Sequence, residues 1–340
     1  MLKSSAVALA ATVAGGTLVD ISRGSIAAPP AAPTGARRVL RFAHPTDIHV
    51  EPELGGAKGM TQALQHMMRM KDPPRMILTG GDLPMDTASS NHARSASLWN
   101  LFNKILADNV PASVPVHHTI GNHDIWGRFK TRCDATGNEP YFGKKWFLEN
   151  FHYPKTYYSF DQAGWHFIVL DSFDMDPTGS QYSSRIVGEQ LAWLNADLAA
   201  TPAAKPVVVV THVPIISASN FFDSGDKPDP GPDLGPDIMI KRTRMHVDRR
   251  MFDALFQKYR NVKLCLSGHL HQYDRAEYNG VTYICDGAVC GNKWRGPRRH
   301  TPEGYGLIDL YADGSFVHHY VQYGWKAEQG TDAPDDDADA

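Results

Sequence analysis

Five short elements of this sequence carry residue types that hold metal ions: Asp47-Ile48-His49, Gly81-Asp82, Gly121-Asn122-His123-Asp124, His212 and Gly268-His269-Leu270-His271. Imidazole nitrogens mixed with carboxylate and carboxamide oxygens suit zinc, manganese, iron or cobalt, whereas calcium takes oxygen ligands alone. Taken singly, each element is a weak signal. Asp-x-His recurs by chance, Gly-Asp is a common turn, and a histidine closing a strand is more often a hydrogen-bonded structural residue. In order along one chain, each behind an apolar run, they are hard to explain as turns. No Gly-x-Ser-x-Gly elbow accompanies them, so nucleophilic serine chemistry is not indicated.

The runs that must position these residues are Val39 to Ala43, Met76 to Thr79, Val116 to Ile120, Val207 to Thr211 and Val262 to Leu266. Each is short, rich in β-branched or large apolar residues and closed by a breaker, which predicts buried strands. Between them, Leu191, Leu194 and Leu198, and again Phe252, Leu255 and Phe256, are spaced for one face of a helix. Strands alternating with helices predict βαβ units and a largely parallel sheet, whose functional crevice lies at the carboxyl ends of the strands. Toward the C-terminus the pattern changes. Asn279-Gly280 between Arg275 to Tyr278 and Val281 to Cys285 predicts a hairpin, and Asp313-Gly314 between Leu307 to Tyr311 and Phe316 to Val321 predicts another. The expected fold is α/β, two packed mixed β-sheets flanked by helices. Ser219 to Pro236, dense in Gly, Pro and Asp, is expected to be a long surface loop.

The five elements together resemble the calcineurin-like metallophosphoesterase superfamily, whose motifs read D-x-H, G-D, G-N-H-[DE], H and G-H-x-H. The resemblance implies a four-layer α/β/β/α sandwich and a two-metal site, with manganese, iron or zinc as the ions. Carried onto this chain, Asp47, His49 and His271 would hold one metal, Asn122, His212 and His269 the other, and Asp82 would bridge them. Two metals about 3.5–4 Å apart can share a hydroxide and clamp both oxygens of an in-line displacement, so the expected reaction is direct attack of that hydroxide on phosphorus. His123 would face the substrate, protonating the leaving group or stabilising charge. Asp124 would hold its tautomer and keep it protonated; a plain turn role for Asp124 is the alternative.

Purple acid phosphatases place a tyrosine three residues after the bridging aspartate, where this chain has Met85. The motif forms are closer to the bacterial phosphodiesterase branch, which includes class III cyclic-nucleotide phosphodiesterases. The expected substrate is a small phosphoester, foremost a phosphodiester. A nonspecific phosphomonoesterase or nucleotidase, a cyclic-nucleotide phosphodiesterase, and a metal- or phosphate-binding protein without turnover are the alternatives. Lys293, Trp294 and Arg295, in a Gly- and Trp-containing loop, are candidate substrate contacts: a cation for phosphate and an indole to stack on a base or sugar. A half-buried packing role for Trp294 is equally open. Asn91-His92 and Trp126-Gly127-Arg128 are rim candidates by proximity in sequence.

Composition bounds the rest. In 340 residues, 34 Lys+Arg stand against 37 Asp+Glu for a net charge of −3, which argues against nonspecific nucleic-acid binding. A chain 42% hydrophobic and 21% charged is that of a globular protein. Lys3, the apolar run Ala6 to Val19 and Ser25-Ile26-Ala27-Ala28 predict a signal peptide over residues 1–27, followed by a linker, 28–36. The catalytic domain is expected over 37–325 and a disordered acidic tail over 326–340, in an exported protein with no transmembrane segment. Cys285 can pair with Cys290 or Cys265, or the four cysteines can remain buried thiols. Oligomeric state is not legible.

Overall fold

The computed structural model describes residues 35–222 and 240–328. The predicted signal peptide, nearly all of the linker and acidic tail, and most of the loop expected after Ser219 lie outside the described residues.

Two large sheets are stacked face to face. The first has strand order β13-β12-β1-β2-β3, built from β1 (Arg38–His44), β2 (Ile77–Thr79), β3 (Val116–His118), β12 (Gly304–Tyr311) and β13 (Phe316–Gln322). The second runs β10-β11-β9-β8-β5-β4, from β4 (Tyr158–Gln162), β5 (Trp165–Leu170), β8 (Val207–Thr211), β9 (Val262–Ser267), β10 (Asp274–Tyr278) and β11 (Val281–Cys285). In the first sheet β1, β2 and β3 are parallel and β12 and β13 join antiparallel on the β1 side; in the second, β11, β9, β8 and β5 are parallel and both edges, β10 and β4, are antiparallel.

β8 shows why the sequence folds this way. Its Val207-Val208-Val209-Val210 run is buried throughout, as a strand covered on both faces must be. Val208 and Val210 join the core between the sheets, with Phe42, Phe167, Leu264 and Ile308. Val207 and Val209 point the other way, onto α4 (Gly188–Ala200) and α5 (Arg249–Lys258), through Leu194, Leu198, Phe252 and Phe256. The first sheet is covered likewise by α1 (Gly56–Met68), α2 (His92–Asn109) and α3 (Lys145–Phe151). Asn91 caps α2, its side chain accepting a hydrogen bond from the Arg94 amide at 2.9 Å, so this residue starts a helix instead of lining a cleft. The layers are α/β/β/α. The Asn279-Gly280 hairpin forms with positive φ at both residues, 50° and 83°, pairing Tyr278 with Val281. A small third sheet, β6 (Phe173–Met175) with β7 (Tyr182–Ser184), follows β5 in the chain. All four cysteines are buried free thiols. No helix among the described residues is long and apolar enough to cross a membrane.

Candidate metal centre

The five predicted elements converge at the carboxyl ends of β1, β2, β3, β8 and β9. Regular strands put consecutive side chains on opposite faces, and these loops break that rule by backbone conformation. Asp47, His49, Asp82, His269 and His271 have φ of 51°, 44°, 53°, 70° and 56°, in the left-handed region that Asp, Asn and His tolerate best among residues with a Cβ. Such strain persists where the surroundings hold it and is common at functional sites. Close packing contributes here: a Cβ on Gly121 would lie 2.1 Å from Asp82 Oδ1, and one on Gly268 would lie 2.2 Å from Asp47 Oδ2.

Three of the imidazoles are locked by carbonyl oxygens. His49 Nδ1 contacts Met85 O at 2.8 Å, His212 Nδ1 contacts Gly80 O at 2.7 Å, and His271 Nδ1 contacts Gly291 O at 2.6 Å. A carbonyl only accepts, so each Nδ1 carries a proton and turns Nε2 inward, where the neutral ring offers its lone pair. Asp82 Oδ2 lies 3.5 Å from His49 Nε2 and 3.2 Å from His212 Nε2, between the two groups. Asp47 Oδ1 lies 3.3 Å from His271 Nε2. The Asp47 carboxylate is fixed by the Thr46 hydroxyl at 2.6 Å and the His269 amide at 2.9 Å.

The donor set fits metal ions on its own observations. His49 Nε2, Asn122 Oδ1, His212 Nε2 and His269 Nε2 are buried without a hydrogen-bond partner, a costly state for polar atoms unless they coordinate something. Asp82 belongs to two clusters with ligand atoms within 4.8 Å of one another, one with His212 and His269 and one with His49 and His123. The electrostatics agree. Burial pushes the His212 pKa down, but Asp82 and Asp47 outweigh it and hold the pKa up, at about 9, so a proton stands where a cation's charge would. Burial lowers His49 to about 3 and His269 well below its ordinary value, leaving both as neutral donors.

His123 faces this group from β3, its ring 4.9 Å from that of His49. Burial lowers its pKa, yet Asp82 and Asp86 together raise it above the ordinary histidine value. The carboxylate that orients it is Asp86, whose Oδ1 is 3.2 Å from His123 Nδ1, and not Asp124. Asp124 instead accepts hydrogen bonds from the backbone amides of Gly121 at 2.7 Å, Leu83 at 2.9 Å and Asp82 at 3.1 Å. It fastens the β3 loop to the β2 loop and does not touch the imidazole. Consecutive residues project apart, so adjacency in sequence misled. Asp86, four residues beyond Asp82, carried no motif of its own.

The substrate-contact expectations divide. Lys293 lines the cleft together with His49, Asp82, Asn122, His123, His269 and His271. Trp294 does not: it is 1% exposed, its indole donates to His49 O at 2.8 Å, and its ring fills the slot beside Gly59, where a Cβ would lie 2.0 Å away. It supports a candidate ligand from behind and has no face free for a base or sugar. Arg295 is not among the cleft-lining residues and acts electrostatically on Glu51. Arg244, Asn292 and Arg298 line the cleft and were missed by sequence reading. The rim candidates His92 and Trp126 pack on Trp146, with ring centroids 4.9 and 5.4 Å away.

Mixed imidazole and carboxylate donors grouped about one shared carboxylate, at the strand ends of an α/β/β/α sandwich, define a dimetal-type site. The chain matches the calcineurin-like phosphoesterase family over residues 40–273 and belongs to it. It is 28% identical over 199 residues to a manganese-dependent ADP-ribose/CDP-alcohol diphosphatase of Bos taurus, covering 45% of this chain and 56% of that protein. It is 26% identical over 163 residues to a 3′,5′-cyclic-nucleotide phosphodiesterase of Nostoc, covering 47% and 53%. Similarity reaches the other branch too: purple acid phosphatase 22 of Arabidopsis thaliana is 26% identical over 249 residues, covering 71% and 48%. The chain thus spans about half the length of these relatives. A dimetal phosphatase from Danio rerio shares the fold, with TM-score 0.58 at 15% identity over 85% of this chain and 98% of that one.

Proposed function

We propose that the protein is a metal-dependent phosphoric ester hydrolase acting on a phosphodiester. The observation that carries this reading is the set of buried, unpartnered ligand atoms gathered around Asp82. Asp47, His49 and His271 would hold one ion and Asn122, His212 and His269 the second, with Asp82 shared between them. Bound metals supply Lewis acidity toward phosphoryl oxygens and toward water. The chain's own residues do the rest. Lys293 neutralises a non-bridging oxygen at the cleft wall. His123, whose pKa Asp82 and Asp86 raise against the lowering effect of burial, donates its proton to the departing oxygen, and Asp86 holds the ring through Nδ1. Two of the relatives are named for a diphosphatase and a cyclic-nucleotide phosphodiesterase, which supports a phosphorus substituted on both sides.

The test strips the protein with chelator, restores manganese, zinc or iron singly, and compares bis-p-nitrophenyl phosphate with the mono-ester. Faster turnover of the diester is expected. Faster turnover of the mono-ester makes the protein a phosphomonoesterase, and hydrolysis of neither with metal bound removes the reading altogether. We also infer export, from the Lys3 and Ala6 to Val19 pattern; cleavage near Ala28, read by N-terminal sequencing, checks it.

A further inference from the structure

Arg128 and Tyr182 are buried with polar atoms left over, and Tyr182 lies within electrostatic reach of Asp82. Arg128 is 5% exposed, yet its Nε and Nη2 have no hydrogen-bond partner. Its guanidinium carbon lies 4.2 Å from the Phe129 ring centroid and 5.4 Å from that of Tyr182. Aromatic rings satisfy the faces of a guanidinium; its N–H groups radiate in plane and need acceptors. The Tyr182 hydroxyl is likewise buried without a partner, and burial keeps it protonated, hence a donor. Phe173 packs against both Tyr182 and a candidate ligand, its centroid 4.9 Å from Tyr182 and 6.0 Å from His212. Arg244 lines the cleft beside Asp82, Asn122 and His123 and acts electrostatically on both Tyr182 and His269. A buried cation with unmet donors is costly, and the missing acceptors are those of a phosphate, which a guanidinium binds bidentately.

We propose that Arg128, Tyr182 and Arg244 form an oxyanion subsite that takes a second phosphate of the substrate, so that the natural substrate is a phosphoester or phosphoanhydride carrying two phosphate groups. The inference rests on the cleft being a phosphoester-hydrolysing centre. It adds that one phosphate sits at the metals while the other anchors the molecule past Phe173.

Two measurements on the full chain test it. In the metal-loaded protein, ADP-ribose serves as the two-phosphate probe, as substrate or as competitive inhibitor of bis-p-nitrophenyl phosphate hydrolysis. Arg128→Met keeps an apolar stem between the rings and removes the fork. It is expected to weaken ADP-ribose about 10-fold or more in KM or Ki, the scale of a lost charged hydrogen bond. Turnover of bis-p-nitrophenyl phosphate, which has one phosphate, should stay within about twofold. In the metal-free protein, inorganic phosphate should raise the unfolding midpoint of the wild type but not of Arg128→Met, and raise that of Tyr182→Phe less. Tyr182→Phe deletes one oxygen only, so it decides the matter if the arginine variant does not fold. Equal effects on both probes, or an undiminished phosphate shift in the variants, overturn the subsite. If the wild type hydrolyses nothing, the proposed activity falls, and the phosphate shift still decides the subsite.

Discussion

Asp86→Asn isolates the oriented imidazole. The change keeps shape and one acceptor and removes the charge 3.2 Å from His123 Nδ1. Two unit charges at that separation attract by about 5 kcal/mol at an effective dielectric constant of about 20, and by about 1 kcal/mol in water. The Asp86 side chain is 25% exposed, which places the interaction between those limits, at about 2 kcal/mol, or roughly 30-fold in the protonated fraction of His123. The direction follows from the role. A general acid acts while protonated, so its activity is full below its pKa and lost as pH rises through it. Removing Asp86 lowers that pKa. The assay is kcat/KM for bis-p-nitrophenyl phosphate from pH 5 to pH 10 with metal content measured at each point. The alkaline limb should move to lower pH, with a loss of about 30-fold above it and convergence on wild type below it. A uniform loss with the limb unmoved, or a loss tracking metal content, would refute the oriented-acid account.

Metal uptake should depend on pH. His212 is held protonated up to about pH 9 by Asp82 and Asp47 and must be neutral to ligate, so apparent zinc affinity should rise with pH and level off near that value; a flat profile in calorimetry between pH 6 and pH 9 refutes this. Gly121→Ala drives a methyl to 2.1 Å from Asp82 Oδ1 and should abolish binding of the second metal, read by elemental analysis; two bound metals would show that the loop yields. Trp294→Phe loses the indole bond to His49 O and should cost about 1–3 kcal/mol in urea unfolding, with KM for bis-p-nitrophenyl phosphate unchanged; a KM effect without a stability effect would return Trp294 to substrate binding.

The strand-end motifs were legible because a buried parallel strand and the breaker that ends it are both local signals. The Asn279-Gly280 hairpin was legible for the same reason. What escaped depends on tertiary approach. Asp86 reaches His123 only because the 82–89 loop turns back, with Ser89 donating to the same carboxylate through its amide at 3.2 Å. Trp294 looked available because the slot that takes it is made by the absence of a side chain at Gly59, in a helix over two hundred residues earlier in sequence. α1, α2 and α3 and the strands β4 to β7 had no motif to draw attention to them. Arg244 and Arg298 gained meaning only from a shared cleft.

The site also ties distant parts of the chain together. The His269 amide meets the Asp47 carboxylate across 222 residues, and the proposed ligand sets join the first sheet to the second. An ion held there closes a covalent-scale loop, and for a loop of that length a crosslink is worth about 5 kcal/mol in chain entropy. The protein has four cysteines and no bond between them. A metal cross-brace at this site would be insensitive to thiol reductants and vulnerable to chelators: EDTA should act on this fold as a reducing agent acts on a disulfide-stapled one, loosening the seam between the sheets while each sheet keeps its own strands paired.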